Sequence, residues 1–228
     1  MAPAILEQLL DCCFTDEHEL YQHNDLKLQH IMEPQQNTVE HPSGELLDMT
    51  HCGVVVTDIQ TSFLSLLPED RSWIQRLCSL VQVAKKLDVP VLVTEQTPEN
   101  LGATVDPIRQ ALPEAEIIPK STYNSLENEH IMEWIEGHDL QQIVLTGIMT
   151  NVCILQTTIH ACRTGYQVHI PSDGCAASSE EDHWWALRRM ERAGAVVTTL
   201  ETVAHEWLKS PDHPAFSDLL PVLKELSS

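Results

Sequence analysis

Positive charge is scarce in this chain of 228 residues: 13 Lys and Arg stand against 34 Asp and Glu, a formal net charge of −21. A polyanion such as nucleic acid, or an anionic membrane surface, is therefore an unfavourable partner. No stretch is apolar enough for long enough to span a bilayer. No basic region precedes an apolar one near the N-terminus, so no signal peptide is expected. Cysteine pairing signals are also missing: the seven cysteines are odd in number, scattered, and form no Cys-x-x-Cys pair. That argues against a disulfide scaffold and for a reducing, cytoplasmic setting. The adjacent Cys12 and Cys13 cannot easily form a zinc site alone. Of the twelve histidines, His51, His130, His138, His160, His169 and His183 are dispersed, and none falls in an i, i+4 pair suited to zinc. Repeats and low-complexity tracts are absent.

What is present divides at about residue 50. Residues 1–50 carry ten acidic residues against Lys27, with little β-branched periodicity. They read as an acidic N-terminal extension that docks loosely or on a partner subunit, with a short helix from Ile5 to Leu10. Residues 51–228 read as one domain. Short apolar strands are expected at 54–57, 89–94, 116–118, 141–147, 166–171 and 195–199. Helical spacing is expected at 73–87, 104–112, 127–136, 151–164 and 180–193. Continuous apolar strands alternating with helices imply an α/β fold: a doubly wound, mostly parallel sheet flanked by helices on both faces.

In such a sheet ligands bind beyond the carboxyl ends of the strands, and three reactive residues fall there. Asp58 follows the first strand and Lys120 follows the third. Cys153 follows the fourth, where a glycine-closed strand turns into a helix. A thiol at that junction is expected to have its pKa lowered by the helix dipole, and the free first-turn N–H groups can hold an oxyanion. An acid, a base and a thiol on one rim can perform acyl transfer. Each also has a plainer reading: Asp58 as a turn or cap residue, Lys120 as a solvated loop charge, Cys153 as a small buried hydrophobe. Cys162 reads as a core or interface residue, and Cys175 is open as a second reactive thiol. Trp184 and Trp185 read as packing in the core or at a subunit contact.

Five ordered segments resemble the isochorismatase-like cysteine hydrolases, in particular the isochorismatase domain-containing proteins. They are Val55-Val56-Thr57-Asp58-Ile59-Gln60-Thr61-Ser62-Phe63; Val91 to Val105 around Thr94-Glu95-Gln96; Lys120 with Tyr123; Gly147 through Cys153 to Thr157; and Asp212-His213-Pro214-Ala215-Phe216. The match runs from about Cys52 to about Leu226. The resemblance implies a catalytic triad of Asp58, Lys120 and Cys153, and a cis peptide between Ile148 and Met149. It also implies an oxyanion hole from the Met149 and Cys153 N–H groups. Gln60 and Gln96 would be polar orienters of substrate, with Phe63 and Tyr123 as the apolar wall. Family members usually form homo-oligomers.

Two departures stand out: the Lys loop continues Asn124-Ser125-Leu126, and Asn151 replaces an acidic residue or histidine. The nicotinamidases of this superfamily place an Asp and two His around a metal after the second strand. Thr94-Glu95-Gln96-Thr97-Pro98 has no such set, so no metal and no other cofactor are expected. The leading expectation is a cysteine hydrolase of a small amide, imide or related carbonyl compound. Vinyl-ether hydrolysis of an isochorismate-like substrate by Asp58 acting as acid is one alternative. A non-catalytic scaffold keeping the fold is another.

Overall fold

In the computed structural model residues 45–227 are described. The expected extension, its Ile5–Leu10 helix, Cys12 and Cys13 lie largely or wholly outside that range. Its last residues are inside: Leu47 is fully buried, and its N–H donates to Glu206 Oε2 at 3.0 Å.

Seven strands form a parallel sheet: β1 (Cys52–Thr57), β2 (Val91–Gln96), β3 (Glu116–Lys120), β4 (Gln142–Ile148), β5 (Gln167–Pro171), β6 (Cys175–Ala176) and β7 (Val196–Thr198). Their spatial order is β3-β2-β1-β4-β5-β7, and the two-residue β6 pairs with the end of β4. Every residue of β1 is buried, which is how a strand reads when both sheet faces are covered. Successive side chains enter opposite layers. Val54 and Val56 join a core built with the helix Ser72–Lys86 and two C-terminal helices, Leu200–Leu208 and Phe216–Leu226. Val55 joins the other core, with Leu92, Ile143 and Leu145. That second core is covered by the helices Glu129–Gly137, Leu155–Arg163 and Glu180–Arg192.

In chain order the helices are α1 (Thr61–Leu64), α2 (Ser72–Lys86), α3 (Pro98–Leu101), α4 (Asp106–Ala111), α5 (Glu129–Gly137), α6 (Leu155–Arg163), α7 (Glu180–Arg192), α8 (Leu200–Leu208) and α9 (Phe216–Leu226). The six main strands lie where the apolar runs predict them, within a few residues. The doubly wound arrangement is as expected, with helices on both faces. The sequence reading left α1, α3, α8, α9 and β6 unassigned. α9 carries Pro221 within it, a helix-breaking signal by composition, and its amphipathic face has meaning only once α2 covers it. The segment that carries Cys153 also differs: a π turn at Thr150–Ile154 precedes α6, where one continuous helix was expected.

The chain crosses to β2 and β3 on one side of β1, and to β5 and β7 on the other side of β4. The crevice between β1 and β4 is therefore the point where the winding reverses, the preferred ligand position in such sheets. There the strands come unusually close. Gly147 has φ +111°, and a Cβ on it would run into the Thr57 carbonyl oxygen and lie 2.8 Å from Thr57 N. Gly147→Ala should accordingly cost about 3 kcal/mol or more in urea unfolding, from the positive φ and the overlap together. Gly137, at the end of α5 with nothing within 4 Å of its virtual Cβ, is the control: its alanine variant should be neutral or stabilising by about 0.5–1 kcal/mol. Equal effects at the two positions would contradict this account.

Candidate active site

Parallel register brings the functional residues together. Thr57 pairs with Thr94 on one side and Gly147 on the other, and Gln96 pairs with Lys120. The ends of β1, β2, β3 and β4 thus meet at one level. Immediately after β1, Asp58 adopts φ 56°, a left-handed conformation that aspartate tolerates better than most residues. Its N–H donates to Thr94 O at 3.0 Å, so the residue is locked to β2 as it turns.

The Asp58 carboxylate is fully buried. Thr94 Oγ1 donates to its Oδ1 at 2.8 Å, and Lys120 Nζ donates to its Oδ2 at 2.6 Å. Both side chains of the ion pair have no solvent exposure. Lys120 also donates to Gln96 Oε1 at 2.8 Å and to Thr122 O at 3.2 Å. All three ammonium protons therefore have acceptors, the condition for holding such a charge away from water. The solvated-loop reading of Lys120 is thereby closed; the residue is the last of β3.

Cys153 is 3 % exposed. Its thiol lies beside the Asp58–Lys120 ion pair, close enough to feel both charges. The expected lowering of its pKa by the helix start does not hold: the thiol is pushed up to about 12. Burial is the largest cause and the Asp58 negative charge the next, while Lys120 pulls the other way without prevailing. The physical reason is that the site is dry and already holds one anion, so a second is disfavoured. The peptide between Ile148 and Met149 is cis, and the Met149 carbonyl accepts from Val152 and Ile154, on either side of Cys153.

The two glutamines are committed to the protein. Gln60 Nε2 donates to Gln96 O (3.0 Å) and Gly102 O (2.6 Å), and its Oε1 accepts from Gln96 N at 2.7 Å. Gln96 joins Lys120 through Oε1 and donates from Nε2 to Ser121 O at 2.9 Å. Both hold the loops around the ion pair. Phe63 is partly buried on α1, and Tyr123 is 55 % exposed beyond Lys120. Cys175 pairs in register with Gly147 and is buried; burial pushes its thiol up to about 12, and its Sγ donates to Leu145 O at 3.7 Å. Cys162 is in the core, whereas Trp184 and Trp185 are exposed. Sequence reasoning missed Thr94, although strand alternation puts it on the same face as Gln96. It also missed the side-chain ties from the Lys loop to α6, which join residues over thirty positions apart. Among the described residues no group of three or more His, Cys, Asp or Glu is placed to hold a metal ion.

Comparison with known proteins gives the same grouping. Residues 52–202 match the isochorismatase domain. Isochorismatase family protein 1A of Dictyostelium discoideum is 33% identical over 174 residues, covering 75% of this chain and 84% of that protein. Isochorismatase domain-containing protein 2 of Xenopus laevis is 36% identical over 146 residues, 64% of this chain and 70% of that protein. Among solved structures, MAR1 ribonuclease from Caenorhabditis elegans superimposes with a TM-score of 0.74 at 29% identity, covering 78% of this chain and 92% of that one. With its winding, its strand-end constellation and these relatives in agreement, the chain belongs to the isochorismatase family of hydrolases.

Proposed function

We propose that the protein is a cysteine hydrolase of a small amide, imide or related carbonyl compound, working through Asp58, Lys120 and Cys153. The observation that carries this reading is the buried Asp58 carboxylate, which ion-pairs with the Lys120 ammonium at 2.6 Å and whose charge acts on the nearby Cys153 thiol. In the free protein the nucleophile is a protonated thiol. As Sγ bonds to the substrate carbonyl carbon, its proton passes to Asp58, so no free thiolate builds up beside the carboxylate. The carbonyl oxygen takes the negative charge, and the Met149 and Cys153 N–H groups are proposed to hold it. Lys120 offsets the charge shared between sulfur and carboxylate. Asp58 then returns the proton to the leaving nitrogen, and a water activated by the same carboxylate attacks the thioester, releasing acid and restoring the thiol. Phe63 and Tyr123 are proposed to border the substrate. Gln60 and Gln96 act on it through the loops and the ammonium they hold.

The reaction needs no metal or other cofactor in this scheme. The ribonuclease activity in the name of the nematode relative finds little support here, because a net charge of −21 disfavours a polyanionic substrate. Buried free cysteines support a reducing, cytoplasmic location, and the exposed Trp184–Trp185 face of α7 supports a homo-oligomer.

Cys153→Ala should abolish turnover of a carbonyl substrate, by at least roughly 10³-fold in kcat, with the melting temperature little changed. A retained rate in Cys153→Ala with loss in Asp58→Asn would instead establish acid chemistry on a vinyl ether, and loss in neither would favour a scaffold. The thiol's position also predicts its labelling. Iodoacetamide should modify Cys153 with a rate that climbs about tenfold per pH unit through neutrality, without a plateau below pH 9. In Asp58→Asn the neighbouring anion is gone while Lys120 remains. The labelling profile should then move roughly one to three pH units lower even as turnover is lost. A plateau below pH 8 in the unmodified protein would contradict a thiol held protonated by burial together with the Asp58 charge.

A further inference from the structure

Outside the triad, four of the chain's 13 Lys and Arg residues (Arg163, Arg188, Arg189 and Arg192) gather on α6 and α7. Two of them, Arg163 and Arg189, border a cavity of about 340 Å³ together with Asn124, Gln156 and His160. Arg188 is turned away, its guanidinium 5.8 Å from the Trp185 ring. The guanidinium groups of Arg163 and Arg189 have no ion-pair or hydrogen-bond partner among the described residues. Glu127 also lines the cavity, and its Oε1 accepts from Asn124 Nδ2 at 3.2 Å. The walls thus present mainly donors, in a protein whose overall charge is strongly negative.

The ring of His160 adds one more. Asn124 Oδ1 accepts from Leu126 N at 3.2 Å, which fixes the amide so that Nδ2 faces His160 Nδ1 at 2.7 Å. Nδ1 must then be the acceptor, which leaves the ring proton on Nε2. Asn124 is also connected to the triad. Lys120 Nζ donates to Thr122 O, and Thr122 Oγ1 donates to Asn124 O at 2.9 Å. One residue on, Ser125 N donates to Thr157 Oγ1 of α6 at 2.9 Å. The turn after Lys120 is therefore clamped to the helix that follows Cys153, and the cavity opens at that clamp.

We infer that this cavity binds a small oxyanion, the phosphate or carboxylate group of a metabolite-sized molecule, and that its occupancy steadies the turn after Lys120. Paired guanidinium groups are suited to a planar or tetrahedral oxyanion through forked N–H donors. An oxyanion accepting from His160 Nε2–H as well makes Nδ1 a better acceptor for Asn124, which tightens the clamp. The binding stands independently of the hydrolase reaction proposed above; only its consequence for turnover rests on that reading, through Lys120.

The test is calorimetric titration of the full chain with inorganic phosphate and, separately, with citrate. At least one should bind saturably at one site per chain, and the tighter of the two names the group recognised. The Arg163→Gln/Arg189→Gln variant, with an unchanged ligand-free melting temperature, should bind it about tenfold or more weakly. Hydrogen exchange of the amides of residues 121–126 should slow when the site is filled, a readout that needs no activity. Absence of saturable binding by either anion, or equal affinity in the double variant, overturns the site. Binding without added protection at 121–126 overturns its coupling to the Lys120 turn.

Discussion

The Lys120–Asp58 ion pair is the constraint to which the rest of the site answers. Both side chains are without solvent exposure, and two charges removed from water are tolerated only when every proton and lone pair has a partner. That requirement explains why Thr94, Gln96 and the Thr122 carbonyl surround the pair. It also explains why Gln60, one step further out, spends its whole amide on the backbone of Gln96 and Gly102. The polar residues of the site are largely there to keep one ammonium and one carboxylate in a dry place.

The same pair sets the chemistry. Burial is the main penalty on a thiolate here, and the negative charge of Asp58 adds to it, so Cys153 stays protonated. A helix start ordinarily favours a thiolate, but that influence is local and modest, and here it is outweighed. In the reaction we propose, nucleophilicity is generated during attack, by transfer of the thiol proton to the neighbouring carboxylate.

Sheet geometry supplies the precision this needs. Because β1 is flanked in parallel register by β2 and β4, and β2 by β3, four strand ends finish at one level. Gly147 lets β4 approach Thr57 so closely that no side chain would fit. The two apolar layers, on α2, α8 and α9 on one side and on α5, α6 and α7 on the other, hold that sheet from both faces.

Much of this was legible beforehand. Apolar runs bounded by helical spacing determined the parallel sheet, and chain order placed Asp58, Lys120 and Cys153 at strand ends, because continuous apolar strands have few other packings. The family segments named the same three residues. The sequence by itself did not determine α8 and α9, whose apolar faces are defined by α2, nor the two-residue β6, which exists only by pairing with β4. Nor could it show that Gln60 and Gln96 serve the ion pair, since their side-chain partners lie 24 to 42 residues away. The protonation state of Cys153 was decided only in three dimensions. A pKa depends on burial and on neighbouring charge, and both are properties of the packed site, not of the strand-turn-helix segment that carries the thiol.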